Sequence, residues 1–85
     1  MNTTDLLHTR QSTHGDFSDN ARYGTALREI FHSAPKWAEM PDEHKEALEH
    51  IAGKLSRILS GQSTVADHWD DLAGYSVLAK QKCDK

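Results

Sequence analysis

The sequence predicts an all-α fold, a small helical bundle of three main helices preceded by a short N-terminal one. Apolar residues recur at i, i+3, i+4 and i+7 over its long stretches, the spacing of a helix with one buried face. No stretch alternates apolar and polar residues in the manner of a strand. Pro35, Pro41 and Gly61 fall between the periodic stretches and mark their ends. At 85 residues the chain is a single domain, near the lower end of what folds around one core.

Residues 1–15 read as a short helix and a turn. The helix covers residues 5–11, with Thr4 as N-cap, and is too short to stand without docking through Leu6 and Leu7. Gly15 then breaks the chain.

The first main helix is expected over residues 18–33, capped by Ser18. Tyr23, Ala26, Leu27, Ile30 and Phe31 form its apolar stripe, and Arg22, Thr25, Arg28, Glu29 and His32 its polar side. The connector "SAPKWAEMPD" holds two prolines, with Trp37 and Met40 placed to plug the end of the bundle. The next helix, residues 41–60, has Pro41 in its first turn, where a missing N–H is harmless. Leu48, Ile51, Ala52, Leu55, Ile58 and Leu59 make its stripe, and Gly61 stands where a left-handed C-cap is expected. The last helix, residues 65–81, opens on a capping box of Thr64 and Asp67. Its expected core face is Val65, Trp69, Leu72, Ser76 and Ala79, flanked by Tyr75.

Hydrophobic residues are 36% of the chain and charged residues 27%. So lean a core in a short chain favours self-association as a homodimer or larger assembly, since pairing buries apolar surface that one copy cannot. The net charge of −3 provides no basic field for phosphate backbones, so nothing argues for nucleic acid as a partner. The one cysteine, Cys83, can form neither an internal disulfide nor a thiolate zinc site. With no apolar run near 18 residues and no signal peptide, the expected location is cytoplasmic and no membrane partner is expected.

Two pairs of acids stand out: Glu46 and Glu49, then Asp67 and Asp70, with 17 residues between Glu49 and Asp67. E-x-x-E followed by D-x-x-D resembles the signature of the MazG-like all-α nucleotide pyrophosphohydrolases. That resemblance implies Mg²⁺ on Glu46, Glu49, Asp67, Asp70 and Asp71, with Lys54 and Arg57 on the phosphates of a nucleotide. A hard cation wants oxygen ligands, and carboxylates at i, i+3 on two facing helices can converge on one. The helical wheel sets a condition. With Leu55 at the centre of the apolar face, Glu46 lies about 180° away and Glu49 about 120° away. Such a site would face away from the core of one chain and form only where polar faces meet, most simply across a dimer interface. Gly53 and Gly74 on those faces permit close approach, and Val77 and Leu78 fall outside the main core stripe. The competing reading makes the same acids a solvated face, with Asp67 and Asp70 complementing the helix dipole, or a protein-binding face.

Six histidines are present, and none forms H-E-x-x-H or another zinc spacing. His44 lies at the edge of an apolar face, as a partly buried structural histidine would. In "THGDF" Gly15 permits positive φ, and His14 with Asp16 can form a turn or capping network. No Ser–His–Asp or thiol–His arrangement and no glycine-rich phosphate loop occurs, so no catalytic residue is assigned. Whether the protein is an enzyme stays open, with the balance against it; no cofactor is expected, Mg²⁺ entering only under the pyrophosphohydrolase reading.

"THGDF-x-x-N", "S-x-x-KW", "EALEHIAGKLSRILSG" and "DHWDDLAGY" together resemble a family of small phage and prophage proteins of uncharacterised function, over about residues 6–78. The matching motif residues are His14, Gly15, Asp16, Lys54, Arg57, Gly61, Asp67, His68, Trp69, Asp71 and Tyr75. The resemblance implies cytoplasmic action in an infected or lysogenic bacterium. Many of these residues are polar, beyond what packing needs, and the binding set expected is His14, Asp16, Arg57, His68, Asp71 and Tyr75. The expected function is non-covalent binding, most concretely inhibition of a host defence factor or other host protein. The alternative is a MazG-like pyrophosphohydrolase or a nucleotide-sequestering protein.

Overall fold

The computed structural model describes residues 15–83. The helix expected over residues 5–11, its cap Thr4 and His14 lie outside them. Three helices follow in order: α1 (Phe17–Ser33), α2 (Asp42–Ser60) and α3 (Ala66–Lys80), with a 3-10 turn (Trp37–Glu39) between the first two. Among the described residues there is no strand. The fold is all-α, as the periodicity predicts.

Each boundary has a local cause. Asp16, not Ser18, is the N-cap of α1, and its carbonyl accepts the Asn20 N–H at 2.9 Å. The helix stops because Ala34 precedes Pro35, and the proline ring forces an extended backbone on the residue before it (φ −73°, ψ 128°). The connector folds back on the end of α1. Trp37 stacks on Phe31 with ring centroids 6.1 Å apart and tilts against His32 at 4.9 Å, which is the plug expected of it. Pro41 sits one position outside the helix, as the extended N-cap of α2 (φ −59°, ψ 151°), its carbonyl accepting from His44 and Lys45.

Two further cap expectations fail. Gly61 ends α2 at φ −115° and ψ −126°, outside the left-handed region, with its N–H on the Arg57 carbonyl at 2.8 Å. The Thr64–Asp67 capping box is absent: Val65 is the N-cap of α3, and its carbonyl accepts the His68 N–H at 3.1 Å.

α2 is the middle element, with α1 and α3 both packed on it. The middle helix has no broad solvent face, so residues read as polar-side from its wheel become interior. Ala47, Ala52, Lys54 and Ser56 are its buried residues. Lys54, a phosphate contact under the pyrophosphohydrolase reading, is only 8% exposed.

The outer helices are also turned from their expected orientations. The α1 face that meets α2 carries Asn20, Gly24, Leu27, Arg28 and Phe31, about 75° around from the expected stripe at about 100° per residue. Gly24 lets α2 approach, and Arg28 is drawn to Glu49. Ile30, from the expected stripe, is left 65% exposed. On α3 the inward residues are His68, Leu72, Tyr75 and Ala79, and His68 is completely buried. Trp69 instead lies over the α2–α3 turn, half exposed, with its indole N–H donating to the Ser63 carbonyl at 2.7 Å. The molecule is long, 46 × 24 × 21 Å, with a radius of gyration of 14.7 Å. A compact chain of this size has about 12 Å.

Candidate functional site

The polar groups gathered along α2 form one cleft of about 380 Å³, between the α1 side and the α3 side of that helix. Gly53 gives it a floor without a side chain. On one side Arg28 crosses from α1, its Nε 3.0 Å from Glu49 Oε2 and its Nη2 donating to the Glu49 carbonyl at 3.3 Å. The guanidinium lies in a slot between two glycines: a Cβ on Gly24 would stand 2.8 Å from Nη1, and one on Gly53 3.3 Å from Nη2. The other carboxylate oxygen of Glu49 is 2.7 Å from His32 Nε2, so two residues one turn apart on α1 share this one acid.

On the other side α3 supplies Asp71 and Tyr75. The Lys54 ammonium donates to Asp71 Oδ2 at 2.7 Å, the lysine buried and the aspartate half exposed. Tyr75 stacks flat on His50, with centroids 4.8 Å apart and an interplanar angle of 7°. Arg57 completes the lining, half-buried, and among the described residues its guanidinium has no hydrogen-bond or ion-pair partner.

The Lys54 hydrogen bond and then its charge hold the Asp71 carboxyl below its ordinary value of 3.8, against an upward push from desolvation; His68 and Arg57 add lesser effects in the lowering direction. The sign follows by linkage. A carboxyl with a lower pKa folded than unfolded stabilises the fold fully above its unfolded value, and that contribution fades as pH falls towards the folded one. In acid titrations of thermal stability, wild type is therefore expected to lose a component below about pH 4 that Asp71→Asn lacks. Parallel curves for the two proteins would mean the ion pair has no linkage to folding.

The acids of the expected metal set are dispersed within one chain. Glu46 meets His50 at 2.8 Å on the surface, Glu49 is held by Arg28 and His32, and Asp71 by Lys54. Asp67 and Asp70 are exposed on α3. Among the described residues no three of histidine, cysteine, aspartate and glutamate are close enough to hold a metal ion. Within one chain Glu46, Glu49, Asp67, Asp70 and Asp71 thus do not gather at one point, and two of them face cations instead: Glu49 faces Arg28 and Asp71 faces Lys54. Of the expected phosphate contacts, Lys54 is already committed to Asp71 and Arg57 is not.

The expected binding set is partly assembled. Arg57, Asp71 and Tyr75 share the cleft, and His68 lies buried on the same helix as the last two. Asp16 stands at the head of α1 and does not line it. Sequence reasoning missed Arg28, His32, His50 and Gly53 as parts of one site. A glycine one turn before an arginine, Gly24 and Arg28, is the signal that could have found the α1 contribution. His44, by contrast, is where its position implied, half-buried with Nε2 2.9 Å from the Ala79 carbonyl.

Fold and site together define a small all-α protein with a charged, aromatic-edged cleft on its middle helix. Comparison with protein-family models, with curated proteins and with solved structures gives no match to this chain. No helix among the described residues is long and apolar enough to cross a membrane.

Proposed function

We propose that this protein acts by non-covalent binding, its cleft receiving an acidic group of the partner at Arg57. The single observation behind this reading is the state of that guanidinium. It is half-buried in a cleft whose other charges are already matched: Arg28 by Glu49 and Lys54 by Asp71. A half-buried arginine facing an open cleft is a ready partner for a carboxylate or phosphate, which its planar fork engages through two hydrogen bonds. In line with the resemblance to small phage and prophage proteins, the partner is a protein of the infected bacterium, most concretely a defence factor that this chain inhibits.

A second reading, nucleotide sequestration, draws on a different observation. Arg28, Lys54 and Arg57 converge beside the stacked His50 and Tyr75 rings, and cations next to an aromatic face also suit a nucleotide. The pyrophosphohydrolase form of that reading needs a second copy to supply ligands, since one chain does not converge its acids.

One set of variants tests both. Host proteins retained by the wild-type protein are identified and their affinity is remeasured with Arg57→Ala. The expected loss is at least about tenfold, or about 1.4 kcal/mol, with unchanged helical circular dichroism. Equal affinity of Arg57→Ala and wild type for that partner would overturn the cleft as the binding site. In parallel, a thermal-shift panel of nucleotides with and without Mg²⁺ reads the second hypothesis, because a ligand that binds only the folded state raises the midpoint. A shift abolished by Arg57→Ala would move the assignment to a nucleotide.

A further inference from the structure

We infer that α3 pairs with α3 of a second copy of this chain, antiparallel and about a two-fold axis. This goes beyond the binding cleft and rests on the adjoining face of α3, which meets the cleft at Asp71 and Tyr75. On the outward side of α3 the residues Asp70, Gly74, Val77, Leu78 and Gln81 form one stripe at i, i+4, i+7, i+8 and i+11, all exposed, with Leu78 and Gln81 at its edge towards the first turns of α2. Val77 is 56% and Leu78 57% exposed. A Cβ added at Gly74 would meet nothing within 4 Å, so the helix surface there is open. Gly74, Tyr75, Val77 and Leu78 with Asp70 and Asp71 border a shallow depression of about 500 Å³.

Charge decides what covers it. The N-terminal end of α3 is acidic, with Asp67, Asp70 and Asp71, and its C-terminal end is basic, with Lys80 and Lys82. Asp70, Lys80 and Lys82 have no ion-pair partner among the described residues. A parallel pair would set like charges together. An antiparallel pair centred between Gly74 and Leu78 sets Leu78 of each copy into the gap over Gly74 of the other. It also brings Asp70 level with Lys82 of the second copy, and Asp71 level with its Gln81. The stripe is thus complementary to itself in one orientation only, as an isologous two-fold interface requires. The chain has reason to make it: among the described residues only Ala47 and Ala52 are buried apolar side chains, while six large ones are more than half exposed.

The test is the mass in solution, by sedimentation equilibrium, of the full chain. Wild type is expected at twice the 9.6 kDa of one chain. Gly74→Gln keeps the fold, since the position is open and glutamine is a good helix former, but fills the gap and gives a single-chain mass. Asp70→Lys weakens association by about tenfold or more, and adding Lys80→Glu and Lys82→Glu to it restores the dimer. A wild type that sediments as one chain overturns the inference. So does a dimer indifferent to Gly74→Gln, or a charge reversal that the compensating pair does not rescue.

Discussion

Gly15→Ala lowers the stability of this protein by about 2–4 kcal/mol, through a conformation and a collision that add together. Gly15 is buried at the entrance to α1 with φ +79°, a backbone region that a Cβ penalises. Its missing side chain also leaves room for the end of α2, because an added Cβ would run into the carbonyl carbon and oxygen of Ser60. A backbone group of a packed helix cannot swing aside as a side-chain tip can. The same serine holds α1 a turn further on, its hydroxyl 2.6 Å from the Asn20 side-chain oxygen. Displacement at Gly15 therefore loosens the contact between the head of α1 and the end of α2. Urea unfolding of the two proteins measures the loss. Gly15→Asn separates the two causes, since asparagine tolerates positive φ but still carries a Cβ. It is expected to fall close to alanine, and a clear recovery with asparagine would show that the approach to Ser60 is not limiting.

His68→Ala is the second large effect, again about 2–4 kcal/mol, from emptying a packed position. His68 is the one large side chain among the described residues that is wholly buried, in a chain whose apolar residues are mostly half-covered. Its ring holds the place that an aliphatic residue occupies in most helix–helix contacts, and the protein has little other core to absorb a cavity. Replacement by leucine keeps most of the volume and removes the polar nitrogens. If packing dominates, His68→Leu recovers much of what alanine loses in a urea midpoint. If leucine is as damaging as alanine, the ring is held for its hydrogen-bonding atoms and the packing account of this position is wrong.

How far such features can be read in advance varies with their physical origin. α2 was legible because its apolar residues keep helical register for about three turns and its ends carry Pro41 and Gly61. The ladder of Leu48, Ile51, Leu55 and Ile58 owes nothing to distant parts of the chain. The rotation of α1 and α3 was not legible. Periodicity finds the most apolar stripe, and here the faces that meet α2 contain a glycine, an arginine and a histidine while Ile30 and Trp69 are left outside. The middle position of α2 was equally hidden, and with it the burial of Lys54, since a helical wheel is drawn for a helix with one neighbour. At the site, Arg57, Asp71 and Tyr75 could be singled out by residue type and motif. The pairings could not, because Arg28 with Glu49 and Lys54 with Asp71 join different helices and depend on how those helices are turned.

The shared grip of Arg28 and His32 on Glu49 has a consequence for how tightly the architecture is specified. Half-exposed leucines and isoleucines tolerate sliding by a fraction of a turn, since one apolar neighbour is nearly as good as another. One carboxylate held from two successive turns of α1 tolerates neither rotation nor slippage, because either movement pulls Arg28 or His32 off its oxygen. In so thinly cored a protein, the polar latch acts as the key that selects a single docking angle, which the apolar residues around it would leave undecided.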